Sequence, residues 1–536
     1  MKIKIKAYIV LGALLLLLGL AGRSMANISG DAEYVAAAGQ QSIYKLDVAK
    51  ARGTIFDCHL TPLTGSTRRR VAAVAPTIES IGAIESATAG KYRDRLAAAL
   101  ADGKPFAMEI DRWVEDNCVD MFNVPKRYQE DQLAPHVVGY LDSLGRGAAG
   151  IELAMDDALH MYSGEISVYY TVDALGRVIA GAQRLVVDSL EKPLGGVAVT
   201  LDAKIQQLVE ESSKELGKGA VVVTEAPNCE IRALVSLPDF DPNRIGEITQ
   251  SREAPLLNRA FCPYSPGSVF KLVAAAAELE NGKAGASFEC TGSLNAGGLA
   301  FHCFDGKAHG KVNLKAAIEK SCNCYFISSV RAMGAQPVLA MAYNLGLGAG
   351  QEFGRGLYSD AGLLPEAKEL SGARALANFS FGQGTITTTP LQLCGMLNAI
   401  AAEGVYSTPK LIAGLVSEDG ELIPQQPVTD VVLQAMSGET AKKLREYMIN
   451  GAKQGTGAAG APAGITVGIK TGTAQTGIFD NGEELCNFWY CGFVEDGTGK
   501  RYCITVLKES AAKDGGATGR VFRKVAEGLA SLDTSS

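Results

Sequence analysis

Residues 264–272 read Tyr264-Ser265-Pro266-Gly267-Ser268-Val269-Phe270-Lys271-Leu272, and the alanine-rich run Val273 to Glu280 follows. Pro266-Gly267 is a turn signal that closes one element and opens the next. From Ser268 onward the residues favour helix, and Asn281-Gly282 supplies the stop. The reading predicts Ser268 at a helix N-terminus, with Lys271 one turn later on the same face. The positive end of the helix dipole would lie beneath the hydroxyl, with an amine in reach of its proton. A serine so placed becomes a nucleophile without a histidine. The spacing alone is weak. Ser42/Lys45, Ser189/Lys192, Ser407/Lys410 and Ser510/Lys513 share it, and an N-cap beside a solvated lysine ordinarily explains such a pair.

Two downstream stretches single out Ser268. Lys470-Thr471-Gly472-Thr473 ends the apolar strand Ile465 to Ile469 and is the only Lys-Thr-Gly in the chain. A cation, two hydroxyls and a glycine at a strand end can bind a carboxylate: Lys470 supplies field, Thr471 and Thr473 donate, and Gly472 lets the backbone approach. Ser321-Cys322-Asn323 interrupts a helical, apolar stretch. Serine and asparagine disfavour helix interiors, so a break that points Ser321 and Asn323 into a cleft is expected there. Each motif is ordinary alone, whereas the three in order are the motif set of penicillin-binding proteins and serine β-lactamases.

The elements around them outline the fold. Val197 to Leu201 reads as a strand, and Asp202 caps a helix reaching Lys214. Gly219 to Glu225 and Ile231 to Ser236 pair around Pro227-Asn228. Helices follow at Ser268, over Lys315 to Met333 and over Pro390 to Ala402. Three strands come next, Ile465 to Ile469, Phe488 to Val494 and Tyr502 to Lys508, before an amphipathic helix from Arg520 to Leu532. Strands at both ends with helices between them predict one sheet flanked by helices, an α/β sandwich. Residues 27–193 form a second, mixed α+β region. In it Tyr92 to Ala101 is helical, and Glu165 to Val172 forms a hairpin with Gly176 to Val187. Arg52-Gly53-Thr54-Ile55-Phe56-Asp57 is a strand entry, and His136 to Tyr140 with Gly150-Ile151-Glu152 is a packed corner. A scaffold role fits these better than catalysis, since no nucleophile neighbours His136.

At 536 residues the chain is long enough for two or three domains. A hydrophobic content of 47% with 20% charged residues describes a folded protein. Net charge is −7 and Arg68-Arg69-Arg70 is short, which argues against a nucleic-acid partner. Lys2, Lys4 and Lys6 precede the apolar run Ala7 to Gly22, which predicts a cytoplasmic N-terminus with the remainder outside. That run spans roughly 24 Å against a hydrocarbon core of about 30 Å. A cleaved signal peptide with Ser24 and Ala26 near its end is therefore the alternative, but Arg23 disfavours it and an uncleaved anchor is expected. Twelve cysteines lack repeated Cys-x-x-Cys spacing. Zinc on Cys290, His302, Cys303 and His309 is disfavoured because adjacent His302 and Cys303 rarely share a tetrahedral site. Buried free thiols are expected instead, with a Cys290–Cys303 disulfide the alternative in an exported protein, and no metal or cofactor.

The chain resembles the class B penicillin-binding proteins, the monofunctional peptidoglycan D,D-transpeptidases. The resemblance rests on the three motifs and on Leu201-Asp202, Asp239-Phe240-Asp241-Pro242-Asn243, Asn258-Arg259-Ala260, His309-Gly310, Phe381-Gly382-Gln383-Gly384, Thr389-Pro390-Leu391-Gln392 and Lys470 to Gln475. Arg52-Gly53-x-Ile55-x-Asp57, His136 to Tyr140 and Gly150-Ile151-Glu152 look like the pedestal boxes of this class, although Cys58-His59 stands where another Arg and a Gly or Asn are usual. It implies a cytoplasmic tail (1–6), a signal-anchor (7–22), an elongated pedestal (27–193) and a transpeptidase domain (196–533) with a mainly antiparallel sheet. It also implies Ser268 as nucleophile, Lys271 as base and Ser321 as proton relay. Asn323 would hold a substrate amide, and Lys470, Thr471, Gly472 and Thr473 the terminal carboxylate. The backbone N–H groups of Ser268 and Thr473 would form the oxyanion hole. The implied partners are stem peptides on lipid-linked precursor, β-lactam antibiotics, and a multi-span membrane glycosyltransferase of cell division or elongation. A serine β-lactamase or a β-lactam sensor is the alternative.

Overall fold

The computed structural model describes residues 2–30, 42–190, 195–282 and 287–532. The expected linker Lys192-Pro193-Leu194 lies outside these residues. Helix α1 (Lys2–Gly30) contains the apolar window Tyr8–Asn27, 20 residues of mean hydropathy 2.0 with none of it buried. The helix continues past Gly22 through Arg23 and Met25. That lengthens the apolar window to about 30 Å, enough to cross a hydrocarbon core as a single-pass anchor.

The chain forms two compact units. The first comprises Met1–Arg52, Ser66–Arg127 and Ser163–Leu194. In it one sheet aligns Ile43–Ala51, Gly164–Thr171 and Leu185–Asp188, and another aligns Phe106–Glu109, Thr67–Val74 and Val119–Lys126. Val71, Phe122, Ile166, Val168 and Tyr170 share one core, and the helices Ile78–Ala87 and Arg93–Asp102 close a second one through Ile84 and Leu96. The hairpin over 164–188 is only partly regular. Asp173 accepts from the amides of Leu175 and Arg177 in a tight turn, and the returning strand is confined to Leu185–Asp188.

The second unit comprises Gly53–Gly65, Tyr128–Tyr162 and Gly195–Ser536. Two segments read from the sequence as pedestal thus cluster with the three motifs. Long-range pairing explains this: Thr54–Phe56 lies parallel to Gly196–Val199, with Ile55 opposite Val197. Ile55, Val137, Val138 and Ile151 are all buried in this unit's main core. The expected corner is real, because a Cβ on Gly139 would fall 1.9 Å from the carbonyl oxygen of Ala149.

The unit is organised by five antiparallel strands, β1 (Gly219–Ala226), β2 (Glu230–Leu237), β3 (Thr466–Asp480), β4 (Glu483–Glu495) and β5 (Arg501–Ala511), in the order β2-β1-β5-β4-β3. Strand alternation buries both faces. Val221, Val223, Ile504 and Val506 pack with Ile205 and Val209 of α2 (Ala203–Ser213) and with Val521, Phe522 and Val525 of α8 (Ala517–Leu532). On the other face Ala220, Val222, Cys491, Phe493 and Cys503 join one core with α3 (Lys271–Glu280), α4 (Leu314–Glu319), α5 (Asn323–Met333), α6 (Pro390–Ala401) and α7 (Gly438–Gln454). Asp202 caps α2 by accepting from the amides of Lys204 and Ile205. The result is the predicted sandwich of one sheet between helical layers.

Candidate active site

Ser268 lies in the single 3₁₀ turn Gly267–Phe270 that leads directly into α3. Gly267 makes this placement possible. Its φ is +51°, and a Cβ there would stand 2.5 Å from the carbonyl oxygen of Thr473 on β3. Its amide donates to Gly382 O at 3.0 Å, and Trp489 Nε1 on β4 donates to Ser265 O at 3.0 Å. Gly472 completes the approach, since a Cβ on it would lie 2.9 Å from Val269 Cγ2. The strand and the turn therefore meet at backbone distance.

Lys271 is fully buried, with Nζ 3.0 Å from Ser268 Oγ, 2.8 Å from Ser321 O, 3.1 Å from Ser321 Oγ and 2.6 Å from Asn323 Oδ1. Ser321 sits in the break between α4 and α5 with φ +51°, and that left-handed residue turns the chain so that Ser321 and Asn323 both face Lys271. Asn323 Nδ2 donates to His302 O at 2.8 Å, which fixes its amide. Lys470 is also buried, and its Nζ donates to Ser321 Oγ at 3.0 Å and to Thr471 O at 2.7 Å. The Lys-Thr-Gly stretch does not end its strand as the sequence suggests. β3 runs on to Asp480 because β4 continues to pair with it, Gly472 opposite Trp489 and Thr473 opposite Phe488.

A hydrogen-bonded path thus joins Ser268, Lys271, Ser321 and Lys470. Neither lysine has a carboxylate partner among the described residues. Burial pulls the Lys271 amine down to about 7, although nearby thiols oppose the shift. Burial, reinforced by the charge of Lys271, holds Lys470 well below the usual lysine range. A neutral Lys271 suits its surroundings. Its two N–H groups satisfy Ser321 O and Asn323 Oδ1, which only accept, and its lone pair is left for the Ser268 hydroxyl. Thr473 is exposed and Thr471 half-buried, with Thr471 Oγ1 donating to Thr456 Oγ1 at 2.8 Å.

All eight residues singled out by the sequence are therefore brought into one neighbourhood. Thr456 and Trp489 were not foreseen; Thr456 has no local signature, and Trp489 is one of only two tryptophans. His136 is elsewhere in this unit, bonded through Nε2 to Pro255 O at 2.7 Å, and burial lowers it to about 4. The twelve cysteines are free, and the Cys290 and Cys303 sulfurs lie 3.7 Å apart, so the alternative disulfide is not formed.

The chain matches the penicillin binding protein transpeptidase domain over residues 219–527. It is 32% identical over 369 residues to penicillin-binding protein PbpB of Mycobacterium tuberculosis, covering 65% of this chain and 52% of that protein. It is 28% identical over 364 residues to stage V sporulation protein D of Bacillus subtilis, covering 65% and 54% respectively. The chain spans about half the length of these relatives. Penicillin-binding protein 3 of M. tuberculosis, solved with aztreonam, superposes with a TM-score of 0.66 at 24% identity, covering 92% of this chain and 97% of that one. The D,D-transpeptidase domain of a peptidoglycan glycosyltransferase from Eggerthella lenta gives 0.65 at 24%, covering 91% and 99%. Those two likenesses concern the fold, and the match over residues 219–527 concerns descent. The chain belongs to the penicillin-binding protein transpeptidase family, in its class B branch.

Proposed function

We propose that this chain is a peptidoglycan D,D-transpeptidase that cross-links stem peptides through an acyl-enzyme on Ser268. The observation that carries the reading is the path Ser268–Lys271–Ser321–Lys470 in a member of this family. Neutral Lys271 takes the Ser268 proton as Oγ attacks the carbonyl between two terminal D-alanines. The backbone N–H groups of Ser268 and Thr473 hold the developing oxyanion. The proton then passes through Ser321 to the leaving amine, the C–N bond breaks, and terminal D-alanine departs. An amine from a neighbouring strand attacks the ester, forms the cross-link amide and returns the proton to Ser268. Asn323 orients a substrate amide. Lys470 with Thr471, Gly472 and Thr473 binds the terminal carboxylate, whose arrival favours the charged form of Lys470 despite burial.

β-Lactams mimic the dipeptide and acylate the same Oγ. The three N-terminal lysines orient α1 with the tail 1–6 inside and the transpeptidase region 196–533 outside, carried by a pedestal drawn from 27–193. Lipid-linked precursor reaches it as glycan made by a multi-span membrane glycosyltransferase. Covalent labelling by a fluorescent penicillin tests the site: the wild type is labelled stably and Ser268→Ala is not. Undiminished label on Ser268→Ala sinks the assignment, and rapid nitrocefin turnover without a stable adduct makes the protein a β-lactamase instead.

A further inference from the structure

Four ligand-type side chains converge behind the Ser321–Asn323 turn. Cys290 ends the strand Phe288–Cys290, Cys303 follows Leu299–His302, His309 precedes Gly310–Val312, and Cys322 caps α5. Their ligand atoms all lie within 4.8 Å of one another; the three cysteines are buried and His309 is half-buried. Cys290 Sγ is 3.7 Å from Cys303 Sγ and 3.5 Å from His309 Nδ1, and Cys303 Sγ is 3.8 Å from Cys322 Sγ. A tetrahedral zinc ion with Zn–S about 2.3 Å and Zn–N about 2.0 Å sets sulfurs about 3.8 Å apart and sulfur and nitrogen about 3.5 Å apart. These three edges match that tetrahedron, and the other three lie within 4.8 Å.

The backbone holds these groups in place independently of any ion. Cys303 N donates to Gly292 O at 2.9 Å, His309 N donates to Cys290 O at 3.2 Å, and Tyr325 N donates to Cys322 Sγ at 3.4 Å. The set differs from the one that spacing suggests. His302 is exposed on its hairpin and drops out, which removes the awkward His302–Cys303 neighbour pair, and Cys322 takes its place.

We propose that Cys290, Cys303, His309 and Cys322 bind one zinc ion in a closed structural site that pins the Ser321–Asn323 turn. Thiolate and imidazole ligands at tetrahedral spacing select zinc among common divalent cations, and four protein ligands leave no open position for water. Binding releases the three thiol protons. Cys322 lies between Ser321 and Asn323, both bonded to Lys271, so the metal–sulfur bond restrains the left-handed Ser321 that aims this motif. Cys324 Sγ is 3.6 Å from Cys303 Sγ but outside the mutually close set, and it supplies the control.

The test is the metal content of the full chain, purified in detergent with reductant and without chelator. We expect about one zinc per chain in the wild type and in Cys324→Ser, and less than about a tenth of that in His309→Ala, whose circular dichroism stays native. Cobalt substitution is expected to give thiolate-to-cobalt charge transfer and tetrahedral d–d bands in the wild type, absent from His309→Ala. Wild-type protein with less than about a tenth of a zinc, and with these thiols open to a thiol reagent in the native state, overturns the site. Undiminished zinc in both His309→Ala and Cys303→Ser overturns the ligand set, as does its loss in Cys324→Ser alone. Penicillin labelling of Ser268 is read separately, so failure here leaves the transpeptidase reading standing.

Discussion

Lys271 Nζ lies 2.6 Å from Asn323 Oδ1, the shortest of four polar contacts around a fully buried amine. An amide oxygen accepts a hydrogen bond without supplying the full charge that would hold the lysine protonated. Asn323 therefore positions the amine and leaves it titrating near neutrality.

Lys271→Ala is expected to retain non-covalent β-lactam binding while acylation slows by about 10²–10⁴-fold, the usual contribution of a general base. Stopped-flow acylation kinetics check this, and a wild-type rate would remove Lys271 from the mechanism.

In the wild type the acylation rate is expected to rise with pH through about 7, as Lys271 gives up its proton. The same burial has a stability signature. A lysine depressed from 10.5 to about 7 binds fewer protons folded than unfolded between those values, so its stability penalty is full below about 7 and fades as pH rises towards 10.5. Thermal melts of the wild type against Lys271→Met are expected to converge with rising pH. A constant difference would show that Lys271 is charged in the folded state.

Asn323→Asp places a carboxylate beside the amine. An opposite charge at that range favours the ammonium by about 1–3 pKa units, so acylation at pH 7 is expected to fall about fivefold or more and its pH limb to move alkaline. An unshifted pH profile would show that this contact does not tune Lys271.

Gly267→Ala combines a positive φ with a Cβ 2.5 Å from Thr473 O. It is expected to cost about 1–3 kcal/mol and to push β3 away from Ser268, lowering both melting temperature and acylation rate. Wild-type values for both would contradict the backbone approach described for this turn.

His136→Ala separates scaffold from chemistry. It loses the Nε2 bond to Pro255 O and the edge contact with Phe240 at 4.9 Å, which is expected to cost about 1–3 kcal/mol. Acylation by the protein that remains folded should be unchanged; a selective loss of acylation would give His136 a part in the reaction.

The sequence by itself determined the local elements and the identity of the motifs. The Pro266-Gly267 turn, the Asp202 cap, the apolar run of β1 and the residues of each motif are short-range properties of turn chemistry and patterning. Such properties are written within a few residues. Tertiary structure decided what depends on approach across long separations. Ser321 and Asn323 reach Lys271 from 50 and 52 residues away, and Lys470 reaches Ser321 from 149. Burial, with the charge of Lys271 added at Lys470, then turns two ordinary lysines into depressed ones. The same distinction governs where the Lys-Thr-Gly strand stops, since only its pairing with β4 carries it to Asp480. It also explains why Thr54–Phe56 joins the catalytic unit through Gly196–Val199, and why Cys322 rather than His302 meets Cys290, Cys303 and His309. No periodicity encodes which distant thiols the packed chain will bring together.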